Sequence, residues 1–235
     1  MGSVSRETTG GEAPAPPPAA VEYFGDQLPA VERYAALLAG PGIERGLLGP
    51  REVSRLWDRH LLNCAVIQAA MPRGATVVDV GSGAGLPGVV LAVVRPDLAV
   101  TLVEPLLRRS VFLSEVVAEL KLPNVNVVRS RAEELHGKVV ADVATARAVA
   151  PLGRLALWTL PLLRSGGLLV ALKGNSVRDE LADAADSLKA LGAVSWRVSE
   201  YGAGVVDPPS LAAVVVVGDQ PRKRRDDCLS KRRRR

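Results

Sequence analysis

Apolar and polar positions along this chain form blocks whose lengths predict strands and helices in turn. Between residues 76 and 217, short apolar runs of strand length are followed by longer segments with helical spacing. The predicted strands are 76–80, 99–104, 126–129, a run that ends near Arg147, 167–172, 194–200 and 212–217. The predicted helices lie up to residue 94, at 107–120, after Pro151 and at 177–191. This alternation predicts an α/β fold with a mostly parallel sheet covered by helices.

The last two predicted strands differ from the others because no helix separates them. They are joined by GAGVVDPPS, a connection rich in glycine and proline. Such a connection predicts an antiparallel closing pair. This ending is typical of methyltransferase sheets, whereas dehydrogenase sheets usually continue in parallel.

Two helices are predicted before the sheet. Residues 26–39 space Leu28, Val31 and Leu38 at helical intervals, and Gly40-Pro41-Gly42 is predicted to end that helix. A second helix is predicted at 52–70. Residues 1–20 are rich in Gly, Pro and Ala, which predicts disorder. The predicted organisation is therefore a disordered segment 1–20, a helical extension 21–73, a catalytic domain 74–219 and a basic tail 220–235.

The candidate chemistry begins in VVDVGSGAGLPG, where the first strand ends and four glycines follow within eight residues. Glycine lets a ligand approach the backbone closely, so the loop predicts a site for a nucleoside-containing cofactor. The loop also matches G-x-G-x-x-G, a weak motif shared with dinucleotide enzymes. Asp79 favours S-adenosylmethionine, because its carboxylate suits the ammonium group of an amino acid and would repel a pyrophosphate. Glu104 suits the ribose hydroxyls of either cofactor. The alternatives for this loop are a nicotinamide or flavin site and a tight turn without a ligand.

Composition and charge limit the remaining classes of protein to which this chain could belong. The 235 residues, 48% of them hydrophobic, suit one sizeable α/β domain with a small extension. Two cysteines provide no disulfide framework, which favours a reducing cytoplasm. We expect neither a signal peptide nor a membrane span. The chain carries +5, of which the last sixteen residues, with nine Lys or Arg and two Asp, contribute +7, leaving −2 for residues 1–219. The tail is predicted either to add non-specific RNA affinity or to serve solubility.

Several sequence blocks resemble one known family. They are LWDRHLLN at 56–63, DVGSGAGLPG at 79–88, EPLLRRSVFL at 104–113, RAEEL at 131–135, TARAVAPL at 145–152 and ALKG at 171–174. In this order they resemble the bacterial small-subunit ribosomal RNA guanine-N7 methyltransferases, also called glucose-inhibited division protein B. The resemblance covers about residues 21–217. This chain departs from the family pattern at Asn63-Cys64, where many members have Asp-Ser.

The resemblance implies a Rossmann-like class I methyltransferase fold, S-adenosylmethionine as cofactor, and methylation of N7 of one guanosine in the decoding region of 16S rRNA. Together with the loop pattern, it predicts the cofactor-binding residues Asp79, Gly81, Ser82, Gly83, Gly85, Leu86, Glu104, Ala132, Glu133 and Arg147. The residues predicted to contact RNA are Arg59, His60, Arg108, Arg109, Arg131 and Lys173. We expect 16S rRNA or the small ribosomal subunit as partner, with no metal and no stable protein partner.

The predicted reaction needs no general base. N7 of guanine has a lone pair and no proton, so correct placement of the two reactants is the main requirement. Arg147, Lys173 and His60 are the candidates for this positioning, although each could instead form an ordinary ion pair or hydrogen bond. The rival functions are methylation of another nucleic acid, protein or small molecule, a nicotinamide-dependent oxidoreductase, and a nucleic-acid-binding module with a vestigial site.

Overall fold

The computed structural model describes residues 11–218, and its centre is one seven-stranded sheet. The strands are β1 (Thr76–Val80), β2 (Ala99–Val103), β3 (Val125–Val128), β4 (Ala141–Arg147), β5 (Leu163–Lys173), β6 (Ala193–Tyr201) and β7 (Ser210–Val217). Their spatial order is β3-β2-β1-β4-β5-β7-β6. β7 is antiparallel to both of its neighbours, and the other pairs are parallel. The predicted parallel sheet with an antiparallel last strand is confirmed.

The strand order positions the candidate site. The chain runs from β1 outward to β2 and β3, then returns to place β4 on the other side of β1. Ligands of open α/β sheets bind where the strand order reverses, beyond the carboxyl ends of the strands. The glycine loop after β1, Glu104 after β2, Arg147 at the end of β4 and Lys173 at the end of β5 all lie at this edge.

Helices cover both faces of the sheet. They are α1 (Pro18–Phe24), α2 (Leu28–Leu37), α3 (Asn63–Ala65), α4 (Gly88–Val94), α5 (Leu107–Glu119), α6 (Leu152–Thr159) and α7 (Val177–Ala190). Alternate residues of a strand point to opposite faces. Val77 accordingly packs with the N-terminal helices, α4 and α5, whereas Val78 packs with α6 and α7. The N-terminal extension thus shares its core with the sheet.

The extension is helical but less regular than its periodicity predicts. The predicted end of the first helix at residues 40–42 is wrong: α2 continues into a π-helical segment, Leu38–Gly42. This wider turn includes Pro41, which has no backbone N–H to donate. The helical path closes at Gly46, whose φ of +65° is favourable for glycine. Leu47 N–H donates to the Gly42 carbonyl at 2.8 Å in the same turn.

The second predicted helix is a succession of different helical turns. The chain is 3₁₀-helical over Pro50–Arg55, π-helical over Leu56–Leu62, α-helical in α3 and 3₁₀-helical over Val66–Ala70. π-Helical turns occur frequently at functional sites. Here the π-helical segment carries both Arg59 and His60.

Part of the segment predicted to be disordered has a defined place. Trp57 Nε1 donates to the Pro14 carbonyl at 2.7 Å, α1 begins at Pro18, and Ala20 is buried. Residues 1–10 and the tail 219–235 lie outside the described residues. Within residues 11–218, no helix combines the length and apolar character that crossing a membrane requires.

Candidate functional site

A cavity of about 650 Å³ opens at the carboxyl edge of the sheet beside β1. We call it the first cavity. Its volume lies within the range of small-molecule sites. Its wall includes the predicted cofactor residues Gly81, Ser82, Gly83, Leu86, Glu104, Ala132, Glu133 and Arg147. It also includes His60, Arg109 and Arg131, which were predicted to contact RNA.

The glycines of the loop have distinct tasks. Gly81 has φ +70°, and a Cβ there would lie 2.9 Å from Val149 Cγ2. Gly85 has φ +103°, and its Cβ would lie 2.7 Å from the Tyr34 hydroxyl. A Cβ on Gly83 would meet nothing closer than the Gly81 carbonyl at 3.8 Å. Gly83 therefore leaves room on the cavity wall, whereas Gly85, which is buried and absent from that wall, permits close packing beneath the loop.

Asp79 requires a correction to its predicted role. Its carboxylate is fully buried and absent from the wall of the first cavity. Oδ2 accepts from Gly88 N–H at 3.2 Å at the start of α4, and Oδ1 has no hydrogen-bond partner within the described part of the chain. Burial raises the pKa of Asp79 to about 7, although its hydrogen bonds act in the opposite direction. Asp79 therefore supports the loop from beneath and does not present a carboxylate to a ligand ammonium group.

Glu104 joins the glycine loop to the wall after β2. Its carboxylate accepts from Gly83 N–H through Oε2 and from Leu106 N–H through Oε1, both at 3.0 Å. Arg109 Nη1 lies 3.8 Å from Oε2, and Arg109 Nε is buried with no hydrogen-bond partner among the residues that the structure describes. Glu104 is only 1% exposed and nevertheless lines the cavity. A carboxylate fixed in this way is suited to accept hydrogen bonds from ribose hydroxyls.

The turn after β3 separates the roles of two adjacent glutamates. Glu134 Oε2 accepts from Ser130 Oγ at 2.7 Å and from Arg131 N–H at 3.1 Å. This is a capping box, in which the acid three residues after the N-cap Arg131 accepts from the N-cap backbone N–H. Glu133 instead lies on the cavity wall beside the buried Ala132. The predicted Ala132-Glu133 pair is thus placed where it can meet a ligand.

Arg147 is held by residues of the N-terminal extension. Its Nη2 donates to His60 Nδ1 at 2.7 Å, and its Nη1 donates to Cys64 Sγ at 3.2 Å. His60 Nε2 lies 2.7 Å from Glu52 Oε2. Burial, followed by the charge of Arg147, lowers the pKa of His60 to about 4. His60 is therefore neutral at pH 7, with both ring nitrogens engaged.

A second cavity of about 730 Å³ adjoins the first beyond β4 and β5. Arg147, Ala148 and Val149 line both cavities. Ala148 has φ +53°, a conformation that costs a residue with a Cβ about 1 kcal/mol. Such strain is concentrated at functional sites. Because the two cavities share these three residues, a group bound in the second cavity would lie next to a ligand bound in the first.

Lys173 contributes to the second cavity but is already paired. Its Nζ donates to Glu180 Oε2 at 2.7 Å and to the Ala150 carbonyl at 2.6 Å. Glu180 Oε2 also accepts from Leu152 N–H at 2.9 Å. Burial acts to raise the pKa of Glu180, but Lys173 and these hydrogen bonds outweigh it and lower the pKa. Lys173 therefore has a structural role, because its contacts fix the turn after β4. Its role in positioning a reactant stays a prediction.

The structure separates the residues predicted to bind RNA. Arg59 and Lys173 line the second cavity, whereas His60, Arg109 and Arg131 line the first. Arg108 is exposed and lines neither of these two cavities. The residues missed by the sequence prediction include Trp158 on the first cavity, Asn63 and Glu180 on the second, and Glu52 and Tyr34 behind the walls. Two of them had a local signal: Asn63 ends the LWDRHLLN block, and Glu180 lies one helical turn into α7 after ALKG.

The first cavity fits the cofactor that the loop predicts. It combines a backbone surface left open at Gly83, a buried carboxylate at Glu104 and the partnerless Nε of Arg109. Apolar side chains, including Leu86, Val103 and Trp158, complete the wall. Polar and apolar surfaces together suit a nucleoside linked to an amino acid.

Two solved structures with similar folds are methyltransferases or were solved with a methyl-donor cofactor. A SAM-dependent O-methyltransferase from Thermotoga maritima superposes with a TM-score of 0.56 at 14% identity, covering 72% of this chain and 71% of that protein. TYW2 from M. jannaschii, solved in complex with AdoMet, gives a TM-score of 0.53 at 18% identity, covering 68% and 75%. At these identities the likeness establishes the fold, that of class I S-adenosylmethionine-dependent methyltransferases.

Sequence comparison gives the family. The chain is 57% identical over 215 residues to the ribosomal RNA small subunit methyltransferase G of Streptomyces avermitilis, covering 91% of this chain and 90% of that protein. The sequence profile of the family described as rRNA small subunit methyltransferase G matches residues 27–206. The chain therefore belongs to the rRNA small subunit methyltransferase G family.

Proposed function

We propose that this protein transfers the methyl group of S-adenosylmethionine to N7 of one guanosine in the decoding region of 16S rRNA. Family membership makes the chain an S-adenosylmethionine-dependent rRNA methyltransferase. It also decides against the nicotinamide-dependent alternative for the glycine loop. The choice of nucleotide and of atom is the proposal, together with the small subunit as partner and the cytoplasm as location.

The observation that carries the proposal is that two cavities meet at Arg147–Val149. The first would hold the cofactor through the Gly81–Gly83 backbone, Glu104 and the Ala132-Glu133 turn. S-adenosylmethionine supplies an electrophilic methyl group bound to a sulfonium. The second cavity, whose wall includes Arg59 and Lys173, would receive the acceptor nucleotide.

The polar residues at the boundary are suited to placing reactants and not to removing a proton. N7 carries no proton, so its methylation requires no base. His60 has no free ring nitrogen to act as one, because Nδ1 accepts from Arg147 and Nε2 faces Glu52. The walls of the two cavities orient the groups and exclude water, and such placement can be worth about 7–11 kcal/mol.

RNA must present the base outside a regular helix. In A-form RNA, N7 faces the deep, narrow major groove, which side chains do not enter readily. The target is therefore a loop nucleotide or one splayed from its stack. Arg59, Arg109 and Arg131 at the two cavities, with the exposed Arg108 nearby, are proposed to contact its phosphates.

The decisive experiment maps the product. The enzyme is incubated with labelled S-adenosylmethionine and with small-subunit rRNA or particles that lack the modification. We expect one methylated guanosine, identified as N7-methylated by strand scission after borohydride reduction. Methyl transfer to another atom or molecule class would contradict the proposal, and a protein that binds cofactor without transferring methyl would be a binding module.

Cofactor binding can be measured separately. Trp158 lines the first cavity, whereas Trp57 is buried and Trp196 lies on β6. In a Trp57→Phe, Trp196→Phe background, S-adenosylhomocysteine is expected to change the fluorescence of Trp158. NADH, corrected for its own absorption, is expected to leave it unchanged. Saturable NADH binding without S-adenosylhomocysteine binding would contradict the cofactor assignment.

A further inference from the structure

The Arg147 guanidinium is fixed from one side by two residues that are more than 80 positions earlier in the chain. Nη2 donates to His60 Nδ1 at 2.7 Å, and Nη1 donates to Cys64 Sγ at 3.2 Å. Both partners are buried, and both lie in the N-terminal extension. Because Arg147 lines both cavities, the direction of its remaining N–H groups affects both walls.

These contacts determine the tautomer of His60. Arginine has only donors, so His60 Nδ1 must offer a lone pair. A neutral imidazole that accepts at Nδ1 carries its proton at Nε2. That nitrogen lies 2.7 Å from Glu52 Oε2, which can only accept when ionised. Glu52 and Arg147 therefore favour the same tautomer from opposite sides of the ring.

Glu52 is well placed to act on the ring. Its side chain is 30% exposed, and Arg59 Nε lies 3.5 Å from the same Oε2. The hydrogen bond from His60 is the main cause that lowers the pKa of Glu52, so the acceptor is present at neutral pH. The charged groups acting on His60 are Glu52, Arg59 and Arg147.

We propose that Glu52 is a positioning residue that orients the His60 ring and, through it, holds Arg147 toward both cavities. No step of the reaction passes through Glu52. A carboxylate that accepts from one imidazole nitrogen fixes the ring orientation and strengthens the other nitrogen as an acceptor. The consequence for methyl transfer rests on the proposed function, whereas the consequence for His60 does not.

The first test reads the tautomer directly. The chain has two histidines, His60 and His136, so ring ¹⁵N spectra contain two sets of signals, and His60→Gln assigns them. In the wild-type protein at pH 7, we expect His60 as the Nε2–H tautomer. An Nδ1–H tautomer would overturn the proposal without reference to any variant at position 52.

The second test removes the carboxylate. Glu52→Ala should mix the two tautomers of His60 and lower kcat/KM for methyl transfer at least tenfold, mainly through kcat. Glu52→Gln, whose amide oxygen can accept from Nε2–H, should restore the wild-type tautomer and most of the activity. A partly exposed ion pair contributes little to stability, so Glu52→Ala should still fold.

The matched control is Glu115→Ala. Glu115 forms a similar surface ion pair with Arg45 at 2.6 Å, but neither residue lines either cavity. The control should leave the His60 spectrum and the kinetics unchanged. The proposal is overturned if Glu52→Ala behaves like this control, or if His60 changes while kcat/KM does not. If the wild-type protein methylates no rRNA, the proposed function fails, and the change at Arg147 is then judged by S-adenosylhomocysteine affinity, which Glu52→Ala should weaken severalfold.

Discussion

At the scale of single residues, Asp79 supports the glycine loop from beneath. It lies near the end of β1, and one of its carboxylate oxygens has no hydrogen-bond partner among residues 11–218. Sequence cannot reveal this, because the direction of the side chain depends on Gly88 and α4 packing over it. A motif residue that is expected to face the ligand can instead hold the loop that does.

Asp79 also predicts a pH dependence of stability. Its pKa is about 7 in the folded state and 3.8 in the reference state, so between these values the folded protein binds more protons than the unfolded chain. Stability contributed by the neutral acid is therefore fully present below about pH 4, is lost as the pH rises to about 7, and does not fall further once the group is ionised in both states. Asp79→Asn, which stays neutral, should lose less stability than the wild-type protein between pH 5 and 8. Thermal unfolding of both proteins across this range checks the prediction, and a constant Tm difference would contradict it.

Cys64 stands where the family resemblance of the sequence predicts a serine. Cys64 Sγ accepts from Arg147 and is fully buried. Burial raises the pKa of the thiol, although Arg147 acts in the opposite direction. Cys64→Ser should keep kcat/KM within about threefold, because the hydroxyl oxygen is also an acceptor. Cys64→Val has a similar size but no acceptor and should lower it about tenfold, as expected when a charged donor is left without its partner. Equal kinetics in the two variants would show that the contact with Arg147 has no consequence.

At the scale of elements, strands were easier to predict than helices. Most positions of β1, β4 and β7 are buried, so continuous apolar runs such as Leu211–Val217 identify strands without a turn signal. β5 begins at Leu163, four residues before its predicted start. The pairing with β4 shifts register between Ala141 and Val143, and β5 continues through Gly166 and Gly167. In the extension, short π and 3₁₀ segments follow one another, and a periodicity measured over about 11–18 residues averages over them, so it could not detect them.

The glycine loop gives a prediction at the same scale. Gly83→Ala, Gly85→Ala and Gly137→Ala each place a Cβ at positive φ, which costs about 1 kcal/mol. Gly137 has nothing within 4 Å and is the control. Gly85→Ala should cost roughly 2–4 kcal/mol because it also overpacks the site against Tyr34 and Val89. Urea unfolding with unchanged m-values measures these differences, and equal costs at positions 85 and 137 would contradict the packing role.

The same set distinguishes the loop's effect on ligand binding. Gly83→Ala should be no less stable than Gly137→Ala, yet it should weaken S-adenosylhomocysteine binding at least tenfold, because its methyl group would project where the wall is open. Gly137→Ala should bind normally. Unchanged affinity in Gly83→Ala would place the cofactor elsewhere on the wall.

At the scale of the whole molecule, the sequence indicated the fold and the edge where the site lies, but not how distant segments meet there. Arg147 and His60 are 87 positions apart, and neither local pattern indicates that their side chains touch. Glu52 was not predicted at all, since it acts behind the wall. Contacts of this kind depend on how the extension packs against the sheet, which hydrophobic periodicity does not specify.

Charge distribution gives a prediction for the complete chain. Residues 1–219 carry −2, and the tail 220–235, outside the described residues, carries +7. Deleting the tail should weaken affinity for rRNA and reduce the slope of log Kd against log salt by about 0.7–0.9 for each phosphate that the tail neutralises. S-adenosylhomocysteine affinity should not change. An unaltered salt slope would assign the tail to solubility instead.

The boundary at Arg147–Val149 has a thermodynamic consequence. Since three consecutive residues belong to two walls, a ligand that shifts or immobilises them changes the free energy of binding on the other side. Linkage then requires reciprocity: the factor by which S-adenosylhomocysteine changes affinity for RNA equals the factor by which RNA changes affinity for S-adenosylhomocysteine. Ala148, with its left-handed backbone, is the natural place for such cooperativity to originate. We therefore expect the binding of the two substrates to be coupled through this one short turn.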